Sequence, residues 1–133
     1  MGATLNSDIP GLRDIVRFDH ASLASNGANA LTGIVMVAPQ AIEVLAATWV
    51  PADQDQTANA ASYRRITLNN GTVVISSVNL TASVASLATQ ALSGTATLAA
   101  GVVLNMSQIT VGAAHTTGTI LAAGTLQVEY RLL

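Results

Sequence analysis

Residues 125–132 read TLQVEYRL, and their alternation decides the fold class. Leu126, Val128, Tyr130 and Leu132 share one parity, while Thr125, Gln127, Glu129 and Arg131 share the other. Strict period two is the pattern of a strand with one buried and one wetted face. Working back along the chain, residues 63–68 and 72–78 flank Asn69-Asn70-Gly71. Asn70-Gly71 is a strong signal for a two-residue type I′ hairpin, whose backbone needs positive φ. Residues 30–37 and 41–50 read as strands separated by Pro39, and 102–111 and 119–122 as strands bounded by Gly101, Gly112, Gly118 and Gly124. Residues 80–100 divide: Leu80, Val84, Leu87 and Ala91 have the spacing of a short helix, whereas 95–98 look extended. Short strands with Gly- and Asn-rich turns, and no long repeat, predict an all-β fold: an antiparallel β-sandwich or jelly-roll-like domain.

Residues 1–28 differ from the rest. They are more charged, contain Pro10-Gly11 and end in the turn-prone Ser25-Asn26-Gly27. They are expected to form an extended N-terminal arm, with one helical turn at Leu12, Ile15 and Val16, leading into a domain over 29–133.

At 133 residues the chain is one domain's worth. Half its residues are apolar but only 9% are charged, against about 25% in an average soluble domain. There is no lysine, and the cations are Arg13, Arg17, Arg64, Arg65 and Arg131. A net charge of −2 gives no basic field to gather nucleic acid or anionic lipid, so neither is an expected partner. Every apolar stretch is interrupted before 18 residues, so no membrane span is expected. MGATLNSDIPGLRD lacks the basic and apolar regions of a signal peptide, and Asn6 breaks the myristoylation pattern that Met1-Gly2 begins. Without cysteine, neither disulfides nor thiolate sites arise. Charge is unevenly placed: Asp8, Arg13, Asp14, Arg17 and Asp19 crowd the start, while residues 66–128 carry no Asp, Glu, Lys or Arg. Such a surface either hydrates through hydroxyls and amides or lies against other protein, since charge depletion marks interface cores.

The reactive inventory is thin. His20 and His115 have no neighbouring ligand at metal-binding spacing except Asp19, and adjacent strand residues point apart. Asp53 and Asp55 can point the same way on an extended segment, the arrangement of a cation site and equally of a solvated loop. No G-x-S-x-G elbow or phosphate loop occurs. The expectation is no enzyme, no cofactor and no metal. Three Asn-x-Ser/Thr triplets, at Asn70, Asn79 and Asn105, match the glycosylation pattern at the frequency of chance in so Thr- and Ser-rich a chain.

Two places invite contact readings. In AATWVPADQDQTAN, residues 46–59, stands the only tryptophan. Strict alternation puts Ile42, Val44, Ala46, Thr48 and Val50 inward and Trp49 on Glu43's side, under the 53–59 loop or at a subunit contact. A bulge near Ala46-Ala47 would instead turn it into the core. Pro51 cannot donate to a ladder and should end the strand there, or confine it to an edge. Arg64 and Arg65 should face opposite ways, Arg64 with Ile66 and Leu68. An unpaired buried guanidinium costs several kcal/mol, so Arg64 should sit at the rim or pair with Glu43, Asp53, Asp55 or Glu129.

The chain also resembles the small decoration (cement) proteins on heads of tailed bacteriophages, those with a jelly-roll or β-tulip domain. The resemblance spans residues 41–133 and rests on Ala47-Thr48-Trp49-Val50-Pro51-Ala52, the polar loop and the strand 63–68. It continues through Ala100-Gly101-Val102-Val103-Leu104, Gly118-Thr119 and Ala123-Gly124-Thr125-Leu126-Gln127-Val128-Glu129-Tyr130. Related chains often carry Asp where this one has Val102. What the resemblance implies is a structural virion protein on the outer capsid surface, made in the host cytoplasm. It would be a homotrimer bound to the major capsid protein, its arm reaching neighbouring decoration subunits. Arg13, Arg17, Phe18, Trp49, Arg64 and Arg65 are the candidate interface residues. A receptor- or glycan-binding head fibre module, and another head or tail subunit, are the alternatives; the first would want an exposed aromatic platform.

Overall fold

A computed structural model describes residues 13–20, 23–24, 30–52, 63–81, 88–111, 120–121 and 123–133. Among them run eleven strands: β1 (Arg13–His20), β2 (Leu23–Ala24), β3 (Ala30–Val37), β4 (Ile42–Pro51), β5 (Tyr63–Asn70), β6 (Val73–Leu80), β7 (Gln90–Leu92), β8 (Ala96–Leu98), β9 (Val103–Val111), β10 (Ile120–Leu121) and β11 (Gly124–Leu132). One sheet has the order β1-β11-β4-β7, with β8 also on β4; the second has the order β3-β9-β5-β6; β2 and β10 pair separately. All these pairings are antiparallel.

β7 meets Ala47–Trp49 and β8 meets Ile42–Val44 along the same edge of β4, so the two occupy one interrupted strand position. Counting that position once and setting aside the β2/β10 pair, the strands run 1-8-3-6 in the first sheet and 2-7-4-5 in the second. That order is a jelly roll, two Greek keys wound into one sandwich. The all-β sandwich expected from the sequence is therefore the observed fold.

The terminal strand behaves as its alternation requires. Gly124, Leu126, Val128, Tyr130 and Leu132 of β11 are buried, and the residues between them reach solvent. Opposing it in the second sheet are Ile66 and Leu68 of β5 and Leu104 and Met106 of β9, all fully buried. Each such side chain contributes roughly 1.5–3 kcal/mol by leaving water, which is what holds the two layers together.

β4 departs from simple alternation, and this corrects the expected side of Trp49. Val44 pairs with Tyr130 and Ala46 with Glu129, so Leu45 is an extra residue, a β-bulge. Its burial pattern changes phase there: Ile42 and Val44 are inside, Ala46 is exposed, and Ala47, Trp49 and Pro51 are inside. Trp49 is fully buried in its own subunit's core. Space for the indole comes from Gly124 across the ladder, where a Cβ would stand 2.7 Å from Trp49 Cη2 and 2.7 Å from the Val50 carbonyl oxygen. Pro51 closes β4 as its missing N–H demands.

Four further expectations meet a different structure. Residues 13–20, assigned to the arm and in part to a helical turn, form β1, paired along its whole length with β11. Phe18 and Val16 lie on β1's inner side and pack on the core, which recruits the strand into the sheet. The hairpin loop is Gly71-Thr72, one residue later than Asn70-Gly71, because Ile75 bulges and shifts the register. Gly71 there has φ of +60°. Ala91 stands in strand β7, where Leu92 is buried, rather than in a helix. Residues 1–12, 53–62 and 82–87 lie outside the described set, and with them Asp53, Asp55 and the middle of the expected helix.

Trp49→Ala should cost about 3–5 kcal/mol in chemical denaturation, the range for removing a large aromatic side chain from a core. Gly124→Val should destabilise through the same contact, and a Gly124→Val/Trp49→Leu double variant should recover part of that loss.

Candidate functional site

The two outer faces of the sandwich are chemically unlike. On the first sheet, β1 register sets Arg13 against Arg131, Ile15 against Glu129, Arg17 against Gln127 and Asp19 against Thr125. Arg13 Nη1 pairs with Glu129 Oε1 at 3.3 Å, and Arg131 Nε donates to Glu43 Oε2 at 2.6 Å. Arg17 Nε donates to Gln127 Oε1 at 3.1 Å and Thr125 Oγ1 to Asp19 Oδ1 at 2.7 Å. These are exposed contacts worth little individually; together they make a charged, hydrated ladder across three strands.

On the opposite, inward side of the same strand pair, Tyr130 donates from its hydroxyl to Asp14 Oδ2 at 3.2 Å, and Asp14 Oδ1 accepts from the Ile15 N–H at 2.8 Å. Burial raises the Tyr130 pKa above its ordinary value of 10.0, and the neighbouring Asp14 charge and hydrogen bond raise it further.

The second sheet presents three transverse rows on its outer side, read from the register of its strands. The first is Ile34, Asn105, Asn69 and Val74; the second Ser107, Thr67 and Ser77; the third Ile109, Arg65 and Asn79. Only Arg65 among these carries charge. It donates to Asn79 Oδ1 at 2.8 Å and to the Tyr63 hydroxyl at 3.3 Å, and its guanidinium lies 6.0 Å from the Tyr63 ring centroid. In the middle, Thr67, Asn69, Gly71, Thr72, Val74, Asn105, Ser107 and Ile109 line a recess of about 430 Å³. Asn69 Nδ2 donates to Ser107 Oγ at 3.2 Å and Asn105 Nδ2 to the Gly71 carbonyl at 3.0 Å, fixing the floor. Thr67 and Asn69 are buried although they point away from the core. Around them stand exposed Ile34, Val37, Val74 and Val103, with Val73 beside the turn.

The sequence-expected contact residues scatter over this frame. Arg13 and Arg17 lie on the charged face. Phe18 turns inward, where its ring covers Gly33 so closely that a Cβ there would collide with it. Trp49 is core. Arg64 is buried on the inner side with Ile66 and Leu68, and Arg65 points out, the opposition expected of adjacent strand residues. Two of Arg64's expected acids are engaged with other arginines, Glu43 with Arg131 and Glu129 with Arg13. The uncharged face was signalled by the charge-free window 66–128, but the rows that form it were not legible without the β9–β5 register. Among the described residues, no three His, Asp or Glu side chains come together as a metal site, and no helix is long and apolar enough to cross a membrane.

No protein-family model matches this chain, and no curated protein matches its sequence. Its fold is similar to that of a chain in the acidic stable capsid structure of Helicobacter pylori bacteriophage KHP30. The TM-score is 0.54 with 13% identity over 93% of this chain and 90% of that one. A weaker overlay, with a TM-score of 0.45 and 8% identity, joins 92% of this chain to 34% of a chain from infectious bursal disease virus Gx strain.

The raised Tyr130 pKa has a defined consequence for stability. As pH climbs past about 10, unfolded Tyr130 ionises before folded Tyr130, so stability is complete below that pH and falls as pH rises through the folded value. The chain has no lysine or cysteine to add a side-chain ionisation in that window. Tyr130→Phe should flatten the decline in unfolding free energy between pH 9 and about 12, as read by denaturant titration at each pH.

Proposed function

We propose that this protein is a capsid decoration (cement) protein that binds the outer surface of a bacteriophage head as a homotrimer and stabilises it. The observation that carries the reading is the end-to-end overlay with a chain of the phage KHP30 capsid structure. Coverage of nine-tenths on both sides means that the overlay takes in nearly all of each chain. The absence of Asp, Glu, Lys and Arg over residues 66–128 fits a surface meant to be covered in assembly.

On this reading the action is mechanical. Each protomer contacts its two mates and the major capsid protein, and an arm preceding β1 reaches neighbouring decoration subunits. A specific contact of ordinary size buries about 1,600 Å². Three linked footprints act at high effective concentration, so modest individual contacts give lasting attachment. The bound trimer then bridges capsomers and opposes internal pressure. The protein is made in the host cytoplasm and resides on the virion exterior.

Native mass measurement should give three times the 13.5 kDa protomer, and the protein should co-sediment with undecorated heads of its own virus. A monomer that ignores heads and binds a sugar would overturn the reading in favour of an adhesion module. Deleting residues 1–12, which leaves β1 intact, should weaken co-sedimentation at least tenfold while preserving the trimer. Unchanged attachment would remove the arm from the mechanism.

A further inference from the structure

We infer that the outer face of the second sheet, formed by β3, β9, β5 and β6, is the surface that meets other copies of this chain. The inference rests on the trimer reading and assigns its contact surface.

The argument begins with charge. Among the described residues the first sheet's outer face carries Arg13, Arg17, Asp19, Glu43, Glu129 and Arg131. Burying that ladder against an uncharged partner would desolvate every ion without new compensation. The second face has one charge among its described residues, Arg65 at its far row, and that guanidinium already holds Asn79 and Tyr63. Its own desolvation on contact is therefore cheap by comparison.

The chemistry of the face also selects its partner. Asn69, Asn105, Ser107, Thr67 and Ser77 each donate and accept hydrogen bonds, so the surface has no sign. A face of that kind complements an identical face, which an acidic or a basic face cannot do. Apolar groups are placed to match: of the large hydrophobic side chains exposed among the described residues, Ile34, Val37, Val74 and Val103 gather on this face, leaving Ile15, Val73 and Leu133 elsewhere. The recess of about 430 Å³ beside Val74 offers room for a projecting side chain of a neighbour.

Area sets the geometry. Four strands at roughly 4.8 Å spacing and about eight residues at 3.3 Å give roughly 500 Å² of projected face. A stable pairwise contact buries about 800 Å² per partner. One such face falls short of a stable pairwise contact on its own, so in a trimer it acts together with the other contacts each protomer makes. Contact through this face leaves the charged ladders in solvent.

The absence of cysteine makes the test clean, because an introduced thiol is unique. Ile34→Cys and Val74→Cys report on this face, and Ala46→Cys, exposed on the first sheet, is the control. In the free oligomer, maleimide should label the thiols introduced at positions 34 and 74 at least tenfold more slowly than the one at position 46, and all three equally after denaturation. Ile34→Asp should convert the oligomer to a monomer of unchanged circular dichroism. An oligomer in which positions 34 and 74 label as fast as 46, or one that survives Ile34→Asp, overturns the inference and leaves the trimer reading standing. Rapid labelling in the free oligomer with protection only on heads gives the face to the capsid shell and also overturns it. A monomeric wild-type protein overturns the trimer reading and this inference together.

Discussion

The single extra residue in β4 governs how this sandwich is put together. β4 lies between β11 on one side and the β7/β8 position on the other, so its phase is felt across the whole first sheet. Without the bulge at Leu45, the half of β4 that follows would turn Trp49 outward and Thr48 inward. With it, the largest side chain of the chain fills the core opposite Gly124, and both ends of β4 bury residues. The neighbouring edge is interrupted in the same stretch. Ser93 leaves β4 between β7 and β8 and exchanges backbone hydrogen bonds with Ser77 of β6, at 3.1 and 2.9 Å. A local irregularity in one sheet thereby supplies a covalent and hydrogen-bonded strap to the other, which also covers part of the β6 edge that would otherwise invite pairing with another chain.

Close packing inside the sandwich then decides who can stand where. Phe18 of β1 can lie over β3 only because Gly33 offers no side chain, and Gly124 plays the same part for Trp49. Large aromatic groups opposite glycines at both places bring backbone and ring into direct contact, so neither glycine can gain a methyl group without movement. This explains how a chain with only 3% aromatic residues builds a core. Its few rings are inserted where backbone is bare, and Leu, Ile, Val and Met fill the remainder.

Much of the fold was legible in the sequence because its signals are local. The β11 alternation, the Pro51 stop and the opposition of Arg64 and Arg65 follow from strand geometry alone. Three features were not, for physical reasons. A bulge leaves no mark in composition, so the AATWV stretch supports either face for Trp49. β1 begins as a charged segment, DIVRFDH, whose apolar parity is only half-buried at a sheet edge, and it reads as an arm until β11 is seen to pair with it. The hairpin loop shifted by one residue because Ile75 bulged against β5, a tertiary choice among closely matched turns. The uncharged face falls in the same class: its residues come from β3, β5, β6 and β9, and only register assembles them.

The charge distribution gains meaning from that assembly. Along the chain, the uncharged window could reflect nothing more than a hydroxyl-rich composition. In space, its β5, β6 and β9 residues fall on one side of the molecule, while the other side carries the ladder of Arg13, Arg17, Asp19, Glu43, Glu129 and Arg131. Exposed ion pairs add little stability, so their concentration on the first sheet is better explained by hydration than by folding. A sandwich needs only its inner faces to fold, and the outer ones are free to answer other demands. Here one outer face retains ions that keep water, while the other keeps only Arg65 among its described residues and carries apolar side chains around an amide-lined recess. Loss of charge on one face alone lowers the cost of covering that face and not the other, so the asymmetry itself orients the molecule in any assembly it joins.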